Sequence, residues 1–200
     1  MADIPAALVK QLRDRTGAGM MECKAALTEA NGDLEAATII LRKRGLAQAA
    51  KKAGRSTNVG LIGSYIHGGG RIGVLVELNC ESDFVARTDD FQTLLKELSL
   101  QVAAARPQFA RREDVPAELL ERERSIYRAQ MAESGKPAQV IDKIVEGKLN
   151  SFYEQVVLVD QPSIRDPKVS VSQLIQAAIA KLGENVSVAR FVRFEVGESK

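Results

Sequence analysis

Across Asn58-Val59-Gly60-Leu61-Ile62-Gly63-Ser64-Tyr65-Ile66-His67-Gly68-Gly69-Gly70-Arg71-Ile72-Gly73-Val74-Leu75-Val76-Glu77-Leu78 the apolar pattern runs with a period of two. Ile62, Ser64 and Ile66 alternate with Leu61, Gly63 and Tyr65. Ile72, Val74, Val76 and Leu78 alternate with Arg71, Gly73, Leu75 and Glu77. Successive side chains of a strand point to opposite faces, so each run reads as a strand, and the glycines between them make the turn of a β-hairpin. A phosphate cradle would need a helix N-terminus after the glycines. A strand follows instead, with no Gly-Lys-Ser/Thr ending.

Downstream the pattern turns helical. Phe91, Leu94, Leu95, Leu98 and Val102 lie at helical spacing, and Pro107 to Pro116 is a break. Further helices are predicted from about Pro116 to Ser134-Gly135, and from Pro137 with Val140, Ile144, Leu149, Phe152 and Val156. After a loop over Asp160–Lys168, Val171, Leu174, Ile175, Ala178 and Ile179 mark a short helix ending at Gly183. Val192, Phe194 and Val196 alternate with Phe191, Arg193 and Glu195 as a last strand. The order β-β-α-α-α-α-β predicts an α+β domain over residues 55–200, an antiparallel sheet of about three strands covered by helices.

Upstream, residues 1–54 read as a separate small unit of three helices and a basic linker. Ile4, Leu8 and Leu12 share one helical face, with a stop at Thr16-Gly17-Ala18-Gly19. A second helix runs from Met20 to about Ala30, with Cys23, Leu27 and Ala30 on one side. After the turn at Asn31-Gly32, Asp33 can cap a third helix carrying Leu34, Ala37 and Leu41, with Gly45 suited to its C-terminal cap. Residues 45–56, rich in Ala and Lys/Arg, read as a helical linker.

Composition narrows the chemistry. The 200 residues carry 28 Lys plus Arg against 26 Asp plus Glu, a formal net charge of +2. That is too even for a nucleic-acid or membrane footprint. There is one histidine, His67, and two cysteines, Cys23 and Cys80. A structural zinc site takes about four Cys/His ligands, so no metal or cofactor of the chain's own is expected. With two thiols, no signal-like amino terminus in Met1-Ala2-Asp3-Ile4-Pro5 and no apolar run of spanning length, the expected compartment is the cytosol.

Two stretches resist a purely structural reading. Met21 points away from the Cys23/Leu27 side, and suits either a stray surface position or an adaptable binding surface. In Glu81-Ser82-Asp83-Phe84-Val85-Ala86-Arg87, between strand and helix, Phe84 either tucks beneath its own helix with Asp83 as cap, or projects as an anchor for another protein. The cluster Arg42, Lys43, Arg44, Lys51, Lys52 and Arg55 reads as a solvated linker face. The alternatives to a protein-binding role are a nucleic-acid or ribosome-associated module using that cluster, and a small enzyme using His67 and Cys80.

Leu12-Arg13-Asp14-Arg15-Thr16-Gly17-Ala18-Gly19-Met20-Met21-Glu22-Cys23-Lys24-Ala25-Ala26-Leu27 and Glu77-Leu78-Asn79-Cys80-Glu81-Ser82-Asp83-Phe84-Val85-Ala86-Arg87 resemble the two signatures of the elongation factor Ts family. The likeness extends through Gly135-Lys136-Pro137, Val145-Glu146-Gly147 and Arg193-Phe194-Glu195-Val196-Gly197. The family usually has Thr where Ser82 stands, and often Lys where Ala25 stands. The resemblance implies a UBA-like fold for the N-terminal bundle and a guanine nucleotide exchange factor without covalent chemistry. The implied partner is the GTPase elongation factor Tu, with no direct nucleic-acid contact. Ser82, Asp83, Phe84 and Val85 would enter the partner near its magnesium site, and Arg13, Met20 and Met21 would grip the same domain. Leu12, Lys24, Lys52 and His67 would add weaker contacts. Longer members carry two related cores and this chain one, which implies a homodimer and a two-plus-two complex with the partner.

Overall fold

The computed structural model describes residues 4–198 (the Glu133 side chain apart), so Met1–Asp3 of the amino-terminal reading lie outside the described residues. The chain forms two compact units. The first takes residues up to Leu61, Asn79–Leu94 and Leu174–Ser187. The second takes Ile62–Leu78, Leu95–Gln173 and the residues from Val188 on. The architecture is the expected α+β: N-terminal helices, a three-stranded antiparallel sheet and further helices.

The first unit begins with α1 (Ala6–Thr16), α2 (Met20–Glu29) and α3 (Leu34–Lys52). Their spacing buries one stripe each: Ile4, Val9, Leu12, Cys23, Ala26, Leu27 and Ala37 form a core, with Leu8, Leu34, Ile40 and Leu41 packed on it. The helix starts are capped as the residues suggest. Asp33 Oδ1 accepts the Glu35 and Ala36 N–H groups at 2.8 and 3.0 Å. The Glu22 carboxylate accepts the Gly19 N–H at 3.3 Å.

Gly45 does not end α3. The helix runs through it to Lys52, and takes in much of the segment read as a linker. The reason is packing: a Cβ on Gly45 would lie 3.1 Å from the Ala180 Cβ of α8 (Val171–Leu182), so the missing side chain admits that helix. Ala49, one turn on, is buried.

Strands β1 (Val59–His67), β2 (Ile72–Cys80) and β3 (Val186–Glu195) are ordered β1-β2-β3. β3 starts five residues before the predicted Phe191, because Val186 and Val188 are also strand residues and are buried. Between β2 and β3 stand the one-turn helix α4 (Asp83–Ala86), too short for a helical period to show, then α5 (Asp89–Ala105), α6 (Ala117–Met131), α7 (Ala138–Val156) and α8.

In the second unit α5 covers one face of the sheet. A Cβ on Gly63 would lie 2.6 Å from Leu95 Cγ, and Arg193 Nε donates to the Ala103 carbonyl at 3.3 Å. By alternation the other face carries Ile62, Ile66, Leu75, Val192 and Phe194, and all five are exposed, as is Val196 just past the strand. Glu77 meets Arg190 at 2.7 Å and the Val196 N–H donates to the Arg71 carbonyl at 2.9 Å. Counting back in that register sets Leu75 beside Val192. A separate cluster of Val115, Val156 and Val157, with Leu119, Leu120, Phe152 and Tyr153 against it, holds the α6–α7 helical hairpin.

Leu27 is fully buried in the small α1–α3 core. Leu27→Ala is expected to destabilise the bundle by about 2–5 kcal/mol, read as a lower urea midpoint by far-ultraviolet circular dichroism.

Candidate functional site

A single helical turn leaves no room for a one-sided helix. Successive residues are 100° apart, so a four-residue helix presents two neighbours to each side. In α4 the inward pair is Val85 and Ala86, both buried, and the outward pair is Asp83 and Phe84. Phe84 is 87% exposed. An aromatic side chain left in water forgoes about 1.5–3 kcal/mol of burial. Of the two arrangements open to Phe84, the structure has the projecting one.

The base of α4 is fastened by its flanks. Ser82 is extended (φ −140°, ψ 155°) and its side chain does not cap α4. Its N–H and hydroxyl both donate to the Glu184 carboxylate, at 2.9 and 2.6 Å. Its carbonyl accepts from the Cys80 thiol at 3.2 Å and the Ala86 N–H at 3.3 Å. On the far side the Thr88 hydroxyl donates to the Val85 carbonyl at 2.7 Å and accepts the Phe91 N–H at 3.3 Å. Glu184, Asn185 and Glu81 thus belong to the site's support, and sequence reasoning missed them. Their bonds join residues about a hundred positions apart, for which no periodicity or local motif exists.

The other named residues fall as follows. Met20 and Met21 are exposed at the start of α2, Met21 at 77%. Arg13 and Lys24 are exposed on α1 and α2, and Lys52 is half-buried at the end of α3. Leu12 is wholly buried, so it shapes that surface only through the packing of α1. His67 belongs to the second unit, exposed, with Nδ1 2.8 Å from the Tyr65 hydroxyl.

Beside Gly17–Gly19 lies a cleft of about 480 Å³ walled by α3 and α8. Arg15, Arg44 and Lys181 on its wall are matched by Glu35, Glu29 and Asp90, and Arg42 lies on the same wall. The basic cluster is likewise partly neutralised, Arg44 by Glu29 and Arg55 by Glu81. Among the described residues no group of His, Cys, Asp and Glu could hold a metal ion, and no helix is long and apolar enough to cross a membrane.

Cys80 is no exposed nucleophile. It is fully buried, and burial pushes its thiol up from the ordinary range, with the Glu184 carboxylate adding in the same direction. A raised thiol means that the folded chain keeps a proton the unfolded chain releases. Stability is therefore whole below the ordinary thiol range and falls as pH rises through it. We expect a lower urea midpoint above that range than at neutral pH, and slow reaction of both buried thiols with a disulfide reagent until the chain is unfolded. An unchanged midpoint would show that Cys80 titrates normally.

Comparison with known proteins gives a consistent result. A family model described as Elongation factor TS matches residues 38–198. A protein named elongation factor Ts from Caldanaerobacter subterraneus subsp. tengcongensis is 60% identical over 195 residues, covering 98% of this chain and 98% of its own. The protein of that name from Fervidobacterium nodosum is 59% identical over 196 residues, covering 98% of this chain and all of its own. That from Solibacter usitatus is 57% identical over the 200 residues, covering all of this chain and 94% of its own.

Proposed function

The chain belongs to the elongation factor Ts family, and its role is in translation elongation; on that premise we propose that it binds elongation factor Tu in its GDP form and speeds GDP release, so that GTP can bind. The observation that carries this reading is Phe84, held bare on one turn of helix with its neighbours Val85 and Ala86 buried beneath it. A desolvated aromatic anchor is the side chain that dominates most interfaces. Asp83 and Phe84 enter the nucleotide domain of the partner and shift the groups that support its magnesium ion and the phosphates. Met20 and Met21, flexible and exposed, adapt to the same domain with Arg13 and Lys24 beside them. Lys52 and His67 contribute secondary contacts.

No bond is made or broken in this scheme, and the chain needs no cofactor. The exchange factor and GDP compete through the partner's conformation. Whatever ratio the factor takes from GDP affinity, GDP takes from the factor's affinity. Each 1.4 kcal/mol of that coupling is about tenfold, so strain of a few kcal/mol applied by one aromatic tip and its surroundings is enough to empty the site. The work takes place in the cytoplasm.

The unit that does this is proposed to be a homodimer. The face of the sheet away from α5 exposes Ile62, Ile66, Leu75, Val192 and Phe194. Two such faces pack about 10 Å apart, and a two-fold axis brings the same patch from both copies. Contiguous exposed apolar surface of this kind marks an interface.

Stopped-flow release of fluorescent GDP from elongation factor Tu tests the exchange reading. Phe84→Ala is expected to slow release roughly thirtyfold, the equivalent of about 2 kcal/mol, with the circular dichroism spectrum unchanged. Unchanged release would remove the tip from the mechanism. Met21→Ala is expected to raise the dissociation constant instead. For the dimer, sedimentation should return twice 21.7 kDa for the natural chain and a single mass for Phe194→Asp; a natural chain that sediments as one mass at micromolar concentration contradicts it.

A further inference from the structure

A one-turn helix cannot hold its own direction. Helix nucleation is unfavourable, and four residues add almost no propagation. The bearing of Phe84 must therefore be set by bonds made outside α4, and the structure shows where they lead. α8 ends at Leu182, and Gly183 takes φ +77°, a left-handed value suited to glycine, with its N–H on the Ile179 carbonyl at 3.0 Å. That turn aims the next two residues at the base of the tip. Glu184 receives both donors of Ser82, at 2.9 and 2.6 Å. In return the Asn185 N–H donates to Glu81 Oε1 at 2.6 Å. The two strand-end segments are thus cross-tied, each giving an N–H to a carboxylate of the other.

Two of these residues, Asn185 and Glu81, also reach a third segment. Asn185 is buried, and its Nδ2 donates to the carbonyls of Ala53 and Arg55 at 3.4 and 2.8 Å, just beyond the end of α3. The Arg55 guanidinium lies 3.5 Å from Glu81 Oε2. The Thr57 and Ser187 hydroxyls meet at 2.8 Å. The segment that bears Phe84 and the segment that leaves the α1–α3 bundle, the bundle carrying Met20 and Met21, are therefore joined through Asn185 and Glu81.

We propose that Glu184 is a positioning residue for nucleotide exchange: its carboxylate holds Ser82 by two hydrogen bonds and so sets the direction of the adjoining Asp83–Phe84 tip, while Asn185 fixes that junction against the end of α3. The proposal rests on the exchange reading given above. Glu184 touches no partner atom in this scheme and acts only through Ser82. Hydrogen bonds to a charged acceptor are among the stronger ones, and removing the acceptor leaves two Ser82 donors to find water, at which point the tip is free to reorient.

The test uses the full chain with elongation factor Tu and fluorescent GDP, measuring the maximal release rate and the concentration at half-maximal rate. Glu184→Ala is expected to lower the maximal rate on the order of tenfold, with the half-maximal concentration little changed. Glu184→Gln can accept the Ser82 N–H and donate to its hydroxyl oxygen, and is expected to restore most of the rate. The deciding measurement is made in the Phe84→Ala background. If Glu184 works through the tip, Glu184→Ala causes no further loss there. A further loss of similar size overturns the proposal, as does an unchanged maximal rate in the single variant. If Phe84→Ala itself leaves release unchanged, the exchange reading fails and not the clamp alone. Should Glu184→Ala fold poorly, Glu184→Asp, whose carboxylate is one methylene short of Ser82, asks the same question in both backgrounds, and a loss that persists without Phe84 again overturns it.

Discussion

A bare aromatic on one turn of helix is a mechanical problem before it is a functional one. Phe84 gains nothing from its own fold, so Val85, Ala86 and Ser82 must hold what it does not. Every polar group of Ser82 is engaged, its N–H and hydroxyl on Glu184 and its carbonyl under Cys80 and Ala86. The burial of Cys80 and of Asn185 closes this junction from below. This mount supplies rigidity at the base of the tip. The stiffer the mount, the less binding energy is lost in ordering the tip on contact.

The two units show contrasting uses of apolar surface. In the first unit many large side chains are withdrawn into the bundle, and those left outside are scattered, with Phe84 and Met21 the most exposed and Met20, Ile39, Leu46 and Leu61 less so. In the second unit one side of the sheet is sealed by α5, and the other holds branched and aromatic side chains in the open. Discrete anchors suit a contact that forms and dissolves repeatedly. A broad apolar sheet face suits one that stays together.

What could be read in the sequence follows from the range of the forces involved. The α1–α3 bundle and the β1–β2 hairpin come from spacing within a dozen residues, and both were legible, down to Asp33 as a cap. Gly45 was misplaced because a glycine at a helix end and a glycine under a crossing helix look alike until Ala180 is in view. The early residues of β3 escaped because Val186 and Val188 sit directly after a helix stop. For the site, Asp83, Phe84, Met20 and Met21 stood out as apolar or mixed groups where polar ones were expected. Glu184 and Asn185 did not, since an acid and an amide after a helix are ordinary loop residues until their partners at Ser82, Glu81, Ala53 and Arg55 are known.

The contact between Gly45 and Ala180 carries one more consequence. A glycine inside a helix forgoes about 1 kcal/mol against alanine, yet here an added methyl would stand 3.1 Å from another methyl with nowhere to rotate. The two positions therefore share a single allotment of volume. Growth by a carbon at either needs the facing helix to give by a few tenths of an ångström, so a change at one site is felt at a site 135 residues away along the chain.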